Sequence, residues 1–278
     1  METAIYFDDK VSDSEFTRFS KEVVENLARK YNIKVLDYDT ISDFLRDGNE
    51  KALIFAQDVI PYTAYNNSYL KLFDKKESLI YNFIKEGGIV TWIGDVPFFY
   101  RVKCISVKEE IGKLKESFSQ QIRLMNPINS SFYEIRLNLK KVGDKICYRD
   151  IIYDRHIDIE EGKVNIYYRS VREKILDLFS LLDICYLNEK AKANLTIVGK
   201  MLKYKGNEVL RPVRLSGNII PLNVARLYSG TCVGDFTGSW IKQIGDGYFI
   251  RLYDYGEADL ENSIQVTLEV ENVPKQVV

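Results

Sequence analysis

From Ala4 to Ile93, apolar positions alternate between continuous runs and steps of three and four. Ala4-Ile5-Tyr6-Phe7 is a short apolar run closed by Asp8-Asp9. After it, Phe16, Phe19, Val23, Leu27 and Tyr31 recur with the period of an amphipathic helix, which Ser12, Asp13 or Ser14 can cap. Lys34-Val35-Leu36 predicts a second strand, and Ile41 to Leu45 a short helix that Asp47-Gly48 ends. Ala52-Leu53-Ile54-Phe55-Ala56 is an unbroken apolar run of the kind buried on both faces of a sheet. A loop from Asp58 to Asn67 leads into a helix over Leu70 to Lys85, whose apolar members are Leu72, Leu79, Ile80, Phe83 and Ile84. Gly87-Gly88 stops it, and Ile89-Val90-Thr91-Trp92-Ile93 forms a further strand. Helices between strands imply right-handed crossovers, so these strands are expected to lie parallel in one sheet.

Beyond residue 105 the pattern changes. Lys108 to Arg123 reads as a helix. Phe132, Ile135, Leu137 and Leu139, then Ile146 and Tyr148, then Val164, Ile166 and Tyr168, alternate with polar residues. Turn residues at Val142-Gly143-Asp144 and Glu160-Glu161-Gly162 separate them, which predicts antiparallel hairpins. Val171, Ile175, Leu178, Phe179 and Leu182 define another helix, and Leu195-Thr196-Ile197-Val198 a strand. Ser239 to Ile244 and Tyr248 to Leu252 flank Gly245-Asp246-Gly247 as a hairpin, and a last strand is expected over Ile264 to Val270. The layout that follows is an α/β core over 1–105 plus 228–256, a β-rich insertion or second subdomain over 106–227, and a terminal strand or tail over 257–278.

Composition narrows the function classes. Net charge is −1, from 39 basic and 40 acidic residues, so no global field draws the chain to nucleic acid or anionic lipid. No apolar stretch nears the roughly 18 residues of a membrane span. The start, Met1-Glu2-Thr3-Ala4, lacks a basic segment followed by an apolar run, so a soluble cytoplasmic chain is expected. Cys104, Cys147, Cys185 and Cys232 are scattered with no CxxC pair, which points to reduced, buried thiols rather than a metal site. Abundant Lys, Glu, Ile and Tyr, with sparse Gln and one His, point to a thermophilic, archaeal source.

Two segments bear a family resemblance. Leu79 to Asp95 reads as a helix, Gly87-Gly88, an apolar strand and a tight elbow; Trp240 to Ile250 carries Trp240, Gly245 and Gly247 in a late hairpin. Together they resemble the class I glutamine amidotransferase-like superfamily, in its trehalose-utilisation-type branch. That likeness implies a parallel flavodoxin-like or amidotransferase-like sheet flanked by helices, with the 106–227 segment inserted and the late hairpin packed back on the sheet. It also implies a nucleophilic Cys at the elbow and a later His base. The elbow here is Gly94-Asp95-Val96-Pro97, the single histidine is His156, and Tyr253-Asp254-Tyr255-Gly256 follows the late strand. The resemblance is therefore to a degenerate member without glutaminase chemistry.

Candidate sites cluster after strands, because open α/β sheets bind ligands outside their carboxyl ends. Asp95, after Gly94, is an acid/base or hydroxyl-binding carboxylate, or else a turn residue before Pro97. Asp8, Asp9 and Asp58 also follow strands and either share a rim with Asp95 or cap helices. Tyr62 and Phe98, beside polar neighbours, suit stacking on a sugar or base, or a hydrophobic lid. His156 stands among charged residues with no nucleophile identified. Lys200, Lys203, Lys205, Arg211 and Arg214, interleaved with Tyr204, form a modest basic stretch. No GxxxxGK[ST], GxSxG, HExxH or helix-opening GxGxxG occurs. The reading is a non-catalytic binding or interaction module without cofactor or metal, acting with a protein partner, a second copy or a small polar ligand. The alternatives are a carbohydrate-active enzyme using Asp95 and a nucleic-acid-associated protein.

Overall fold

The computed structural model describes residues 1–11, 19–65, 79–94, 97–98, 100–106, 139–151, 155–160, 163–168, 184–230, 232–253 and 259–273. In chain order the strands are β1 (Glu2–Tyr6), β2 (Lys34–Leu36), β3 (Lys51–Phe55), β4 (Ile60–Pro61), β5 (Ile89–Ile93), β6 (Tyr100–Ser106), β7 (Leu139–Val142), β8 (Lys145–Ile151), β9 (Arg155–Glu160) and β10 (Lys163–Tyr168). They continue with β11 (Ala191–Lys192), β12 (Asn194–Leu195), β13 (Glu208–Val209), β14 (Val213–Arg214), β15 (Ile220–Pro221), β16 (Asn223–Ser229), β17 (Cys232–Thr237), β18 (Trp240–Ile244) and β19 (Gly247–Leu252). The described α-helices are α1 (Lys21–Tyr31), α2 (Ile41–Phe44), α3 (Leu79–Lys85), α4 (Ile197–Met201) and α5 (Leu260–Glu269).

A seven-stranded sheet, ordered β15-β18-β19-β5-β3-β1-β2, forms the centre. From β2 to β19 the neighbours are parallel, while β18 pairs antiparallel with both β19 and β15 and is the one reversed strand of this sheet. β5 lies inside the sheet and every residue of it is buried, whereas β2 is the edge and exposes Lys34 and Val35. On one face Tyr6, Phe55, Trp92, Phe249 and Trp240 pack with Phe44, Phe83, Tyr62 and Phe98. On the other, Ile5, Ile54 and Ile93 meet Val24 and Ala28 of α1 and Leu260 and Ile264 of α5. Further along that face, Ile241, Ile250 and Leu252 meet Val198 and Leu202 beside Val266. α1 starts where the Ser20 hydroxyl accepts the Val23 N–H and ends where Asn32 turns left-handed at φ 53°.

The glycines that carried the family resemblance have a packing role. A Cβ on Gly247 would stand 2.2 Å from the carbonyl oxygens of both Gly88 and Ile84, and one on Gly245, at φ +63°, 2.5 Å from that of Lys85. The hairpin turn seats directly on the end of α3, with Asp246 N–H donating to Lys85 O and Tyr248 N–H to Gly88 O. Close backbone approach asks for glycine there, whatever the family.

The expected fold class is corrected. Among the described residues strand outweighs helix and the helices are short, and the main sheet is mixed rather than an all-parallel, helix-flanked flavodoxin-like sheet. A tight hairpin must return one strand antiparallel. The β18–β19 unit therefore makes the sheet mixed when it joins beside β5. The remaining sheets are smaller: β4-β6-β8-β7, β12-β16-β17-β14, β9-β10 and β11-β13.

Three local expectations also change. Residues 264–270 are helix rather than strand: Asp259 caps α5, whose buried Leu260, Ile264 and Thr267 recur at helical spacing while Leu268 is exposed. Residues 195–198 leave β12 for α4, whose N-terminus the Thr196 hydroxyl caps by accepting the Gly199 N–H at 3.0 Å. The cysteines are not free thiols: Cys104 bonds Cys147 and Cys185 bonds Cys232. Cys104 and Cys147 are register partners on β6 and β8, a proximity that sheet pairing creates and sequence spacing hides. The helices expected over 108–123 and 171–182, and residues 12–18 and 70–78 of two others, lie outside the described residues.

Candidate functional site

The carboxyl ends of β1, β3 and β5 bring Asp8, Gln57, Asp58 and Gly94 together. Asp8 is buried, and its N–H donates to Gln57 Oε1 at 3.1 Å. Its carboxylate accepts the Lys10 N–H and the Tyr38 N–H, each at 3.0 Å, and so ties the turn after β1 to the segment after β2. Gln57 follows β3 and is 0% exposed. Its Oε1 is used by Asp8, but its Nε2 has no hydrogen-bond partner among the described residues. An unsatisfied buried donor of this kind costs about 1–3 kcal/mol.

Tyr6, the last residue of β1, is equally enclosed, and its hydroxyl has no hydrogen-bond partner among the described residues. Burial, reinforced by the nearby Asp8, Tyr38 and Asp37, pushes its phenol well above the usual tyrosine range. The group therefore stays protonated, with a hydrogen to donate. Asp58 lies against Gly94, where a Cβ would stand 1.4 Å from Asp58 Oδ1. The glycine is what lets that carboxylate reach the end of β5. Two donors, the Tyr6 hydroxyl and the Gln57 amide, thus stand near the carboxylate of Asp8, in an arrangement suited to holding a polar molecule by hydrogen bonds.

The other candidates divide. Asp9 is exposed, 3.9 Å from Lys21. Tyr62 and Phe98 are buried in the aromatic core, where the Phe98 ring lies 4.9 Å from that of Trp92. Asp95 lies outside the described residues. His156 is on β9, in register with Tyr167. The basic stretch serves separate contacts: the Tyr204 hydroxyl bonds Ser239, Lys205 bonds Asp259, Arg211 lies over Tyr186 and Arg214 over Phe236. Among the described residues, no group of three or more His, Cys, Asp or Glu is placed to hold a metal ion. No described helix is long and apolar enough to cross a membrane. Surface grooves lie at the opposite, amino end of the sheet, lined by Arg29, Asn32, Ile33 and Thr3.

Sequence reasoning missed Tyr6 and Gln57. Gln57 could have been found as an amide placed directly after a fully apolar strand, where a buried polar group needs partners. Arg251 was missed as well; it is a charge within Tyr248-Phe249-Ile250-Arg251-Leu252, and every residue of β19 is buried.

Comparisons with known proteins correct the expected amidotransferase-like kinship. The "Uncharacterized protein MJECL34" of Methanocaldococcus jannaschii, an archaeon, is 25% identical over 128 residues, a stretch that takes in 44% of this chain and 41% of that protein. A solved structure, the cytoplasmic protein STM1381 from Salmonella typhimurium LT2, aligns over 97% of this chain and 94% of its own at 12% identity and a TM-score of 0.38. The family model that matches is not an amidotransferase-like one but that of the MJECL34 family, and it matches residues 1–142, just over half of the 278-residue chain. The chain belongs to the MJECL34 family.

Proposed function

We propose that this chain is a non-catalytic binding module that takes a small polar ligand at the carboxyl end of its main sheet, beside Tyr6, Asp8, Gln57 and Asp58. The observation that carries this reading is the wholly buried Gln57 Nε2, a donor without a hydrogen-bond partner among the described residues. With all four sulfurs in disulfides, no thiolate is at hand for covalent catalysis, which supports binding over Cys-dependent chemistry. We place the protein in the cytoplasm of a thermophile, where hyperthermophile chains keep disulfides that other cytosols reduce.

The test is a thermal-shift panel of polyols, monosaccharides and nucleosides on the full chain. One class is expected to raise the melting temperature by several degrees, and Gln57→Leu to lose that shift while remaining folded by circular dichroism. A panel without effect, or a shift that survives Gln57→Leu, would overturn the reading.

A second reading, contact with single-stranded nucleic acid, is favoured by two exposed tyrosines that each lie beneath an arginine. Arg211 sits 4.9 Å from the Tyr186 ring and Arg226 5.9 Å from that of Tyr228. Such stacks suit bases. Polarisation of a labelled oligonucleotide, with salt-dependent binding weakened by Tyr228→Ala, is its measurement.

A further inference from the structure

Tyr38 joins the carboxyl end of the main sheet to the ladder that carries one of the two disulfides. The residue is buried, and each of its polar groups has a use. Its N–H donates to Asp8 Oδ2 at 3.0 Å, its carbonyl accepts the Thr63 hydroxyl at 3.0 Å, and its own hydroxyl accepts the Cys104 N–H at 3.0 Å. Asp8 continues the chain by donating its N–H to Gln57 Oε1 at 3.1 Å. Asp39, the next residue, pairs at 2.8 Å with Lys145, the first residue of β8. Tyr38 and Cys147 share one core cluster with Val59 and Val102, and Cys104 packs against it.

The Cys104 N–H also fixes the character of the rung at which the bond sits. Cys104 and Cys147 are register partners on β6 and β8. In an antiparallel pair, rungs that exchange two backbone hydrogen bonds alternate with rungs that exchange none. A Cys104 N–H given to Tyr38 belongs to the second kind, so at this rung the disulfide is the direct link between the strands. The rungs on either side, from Tyr100–Ile151 to Ser106–Lys145, keep β6 and β8 paired when it opens. Access separates the two bridges. Cys104 is partly exposed, while Cys147 is 1%, Cys185 3% and Cys232 8% exposed. Thiol–disulfide exchange needs a thiolate to reach a sulfur, and Cys104 is the cysteine that offers an approach.

We propose that the Cys104–Cys147 bond is a redox switch, opened by a dithiol and relayed through Tyr38 to the Asp8 carboxylate. One thiolate of the dithiol attacks Cys104 Sγ, breaks the S–S bond and expels the Cys147 thiolate, which takes up a proton. The second thiolate of the dithiol then attacks the mixed disulfide, leaves as a cyclic disulfide and releases Cys104, which is protonated in turn. Two electrons and two protons pass from the dithiol to the protein, and a disulfide oxidant runs the exchange backwards. The sulfurs, no longer bonded, spread the rung within a close-packed cluster, and Cys104 draws its N–H away from the Tyr38 hydroxyl. Tyr38 shifts in turn against Asp8. That this tunes a ligand beside Gln57 rests on the binding proposed above; the switch itself does not.

The full chain is treated with dithiothreitol for increasing times and quenched in acid. Each thiol is then counted by alkylation of the unfolded chain and peptide mass spectrometry. Cys104 and Cys147 should be reduced at least tenfold faster than Cys185 and Cys232. In ¹⁵N spectra, opening that bond should move the amide signals of Cys104, Tyr38 and Lys10, the last of which also donates to Asp8. Cys104→Ser with Cys147→Ser should place the Tyr38 and Lys10 signals where the reduced chain has them. Tyr38→Phe keeps the ring but not the acceptor, and should at least halve the Lys10 shift on reduction. Movement of these amides, with no ligand found in the thermal-shift panel, would sink the reading at Gln57 and uphold the switch. The switch is overturned by equal reduction rates at the two bridges, by Tyr38 and Lys10 signals that stay in place when Cys104–Cys147 opens, or by a full Lys10 shift in Tyr38→Phe.

Discussion

Gly94 and Gly247 both sit where a Cβ does not fit, yet replacing them should cost different amounts. At Gly247 the obstacles are two backbone carbonyls, Gly88 O and Ile84 O, each 2.2 Å from a Cβ. Backbone cannot step aside without lifting the β18–β19 turn from α3. At Gly94 the obstacle is the Asp58 carboxylate, 1.4 Å from a Cβ, and a side chain can rotate away. We therefore expect Gly247→Ala to destabilise by about 3 kcal/mol and Gly94→Ala by about 1 kcal/mol, read from urea denaturation midpoints. The smaller cost should come with the larger functional effect, because Gly94→Ala moves Asp58 and should abolish any thermal shift that depends on Gln57. Single side chains were also the scale least legible in the sequence. Tyr62 and Phe98 look like binding aromatics because polar residues flank them, but the neighbours that bury them, Phe55, Trp92 and Phe249, come from other strands. Gln57 gives no periodic signal, so its missing partner emerges only once β1 and β3 are in register.

Between elements, α1 is tied to α5 by Glu261, whose Oε1 accepts from Lys30 Nζ at 2.6 Å and from the Tyr31 hydroxyl at 2.7 Å. The hydrogen bond from Lys30, joined by that from Tyr31, holds the Glu261 carboxyl below its ordinary range. A carboxylate depressed in the folded state contributes stability above its unfolded value, about 4.3, and loses it as pH falls through the lower folded value. Thermal melts at about pH 6 and about pH 3 should therefore differ less in Glu261→Gln than in the parent chain, the variant lacking this part of the acid loss. The pair is exposed, so the difference should shrink further in high salt. Elements were legible where apolar residues ran together: Ala52 to Ala56 is unbroken and Ile89 to Ile93 is interrupted only by Thr91, and β3 and β5 read as buried parallel strands, as they are. α5 was misread because Ile264, Val266, Leu268 and Val270 alternate as in a strand. The decisive signals were Asp259 as a cap and Leu268 at 36% exposure, the first easily overlooked in sequence and the second invisible there. β11 to β15 contain two residues each, too few to show any period.

Across the whole molecule, two disulfides bridge segments that sequence reasoning treated as unrelated. Four cysteines allow three pairings, and none is marked by spacing in this chain. The pairing depends on which strands meet, and β6 meets β8 only across the residues between them. The two bridges differ in what the native fold already supplies around them. Cys104 and Cys147 stand within an antiparallel ladder that runs from Tyr100–Ile151 to Ser106–Lys145, so their strands are held by backbone pairing with or without the bond. Cys185 and Cys232 join a small cluster with Ala225, Leu227 and Phe236, and Cys185 N–H donates to Pro212 O at 2.8 Å. Both bonds should then act mainly on the unfolded chain. They close loops with sequence separations of 43 and 47, which in the chain-entropy account corresponds to about 4 kcal/mol each. We expect Cys104→Ser with Cys147→Ser to leave the circular dichroism spectrum unchanged while lowering the unfolding free energy by about 4 kcal/mol, read as a lower urea midpoint. The Cys185–Cys232 pair should give a similar loss, and the two should add, because they lie in separate sheets and share no core cluster. Dithiothreitol on the parent chain should reproduce the quadruple variant. If reduction leaves the midpoint where it was, neither bridge constrains the unfolded chain.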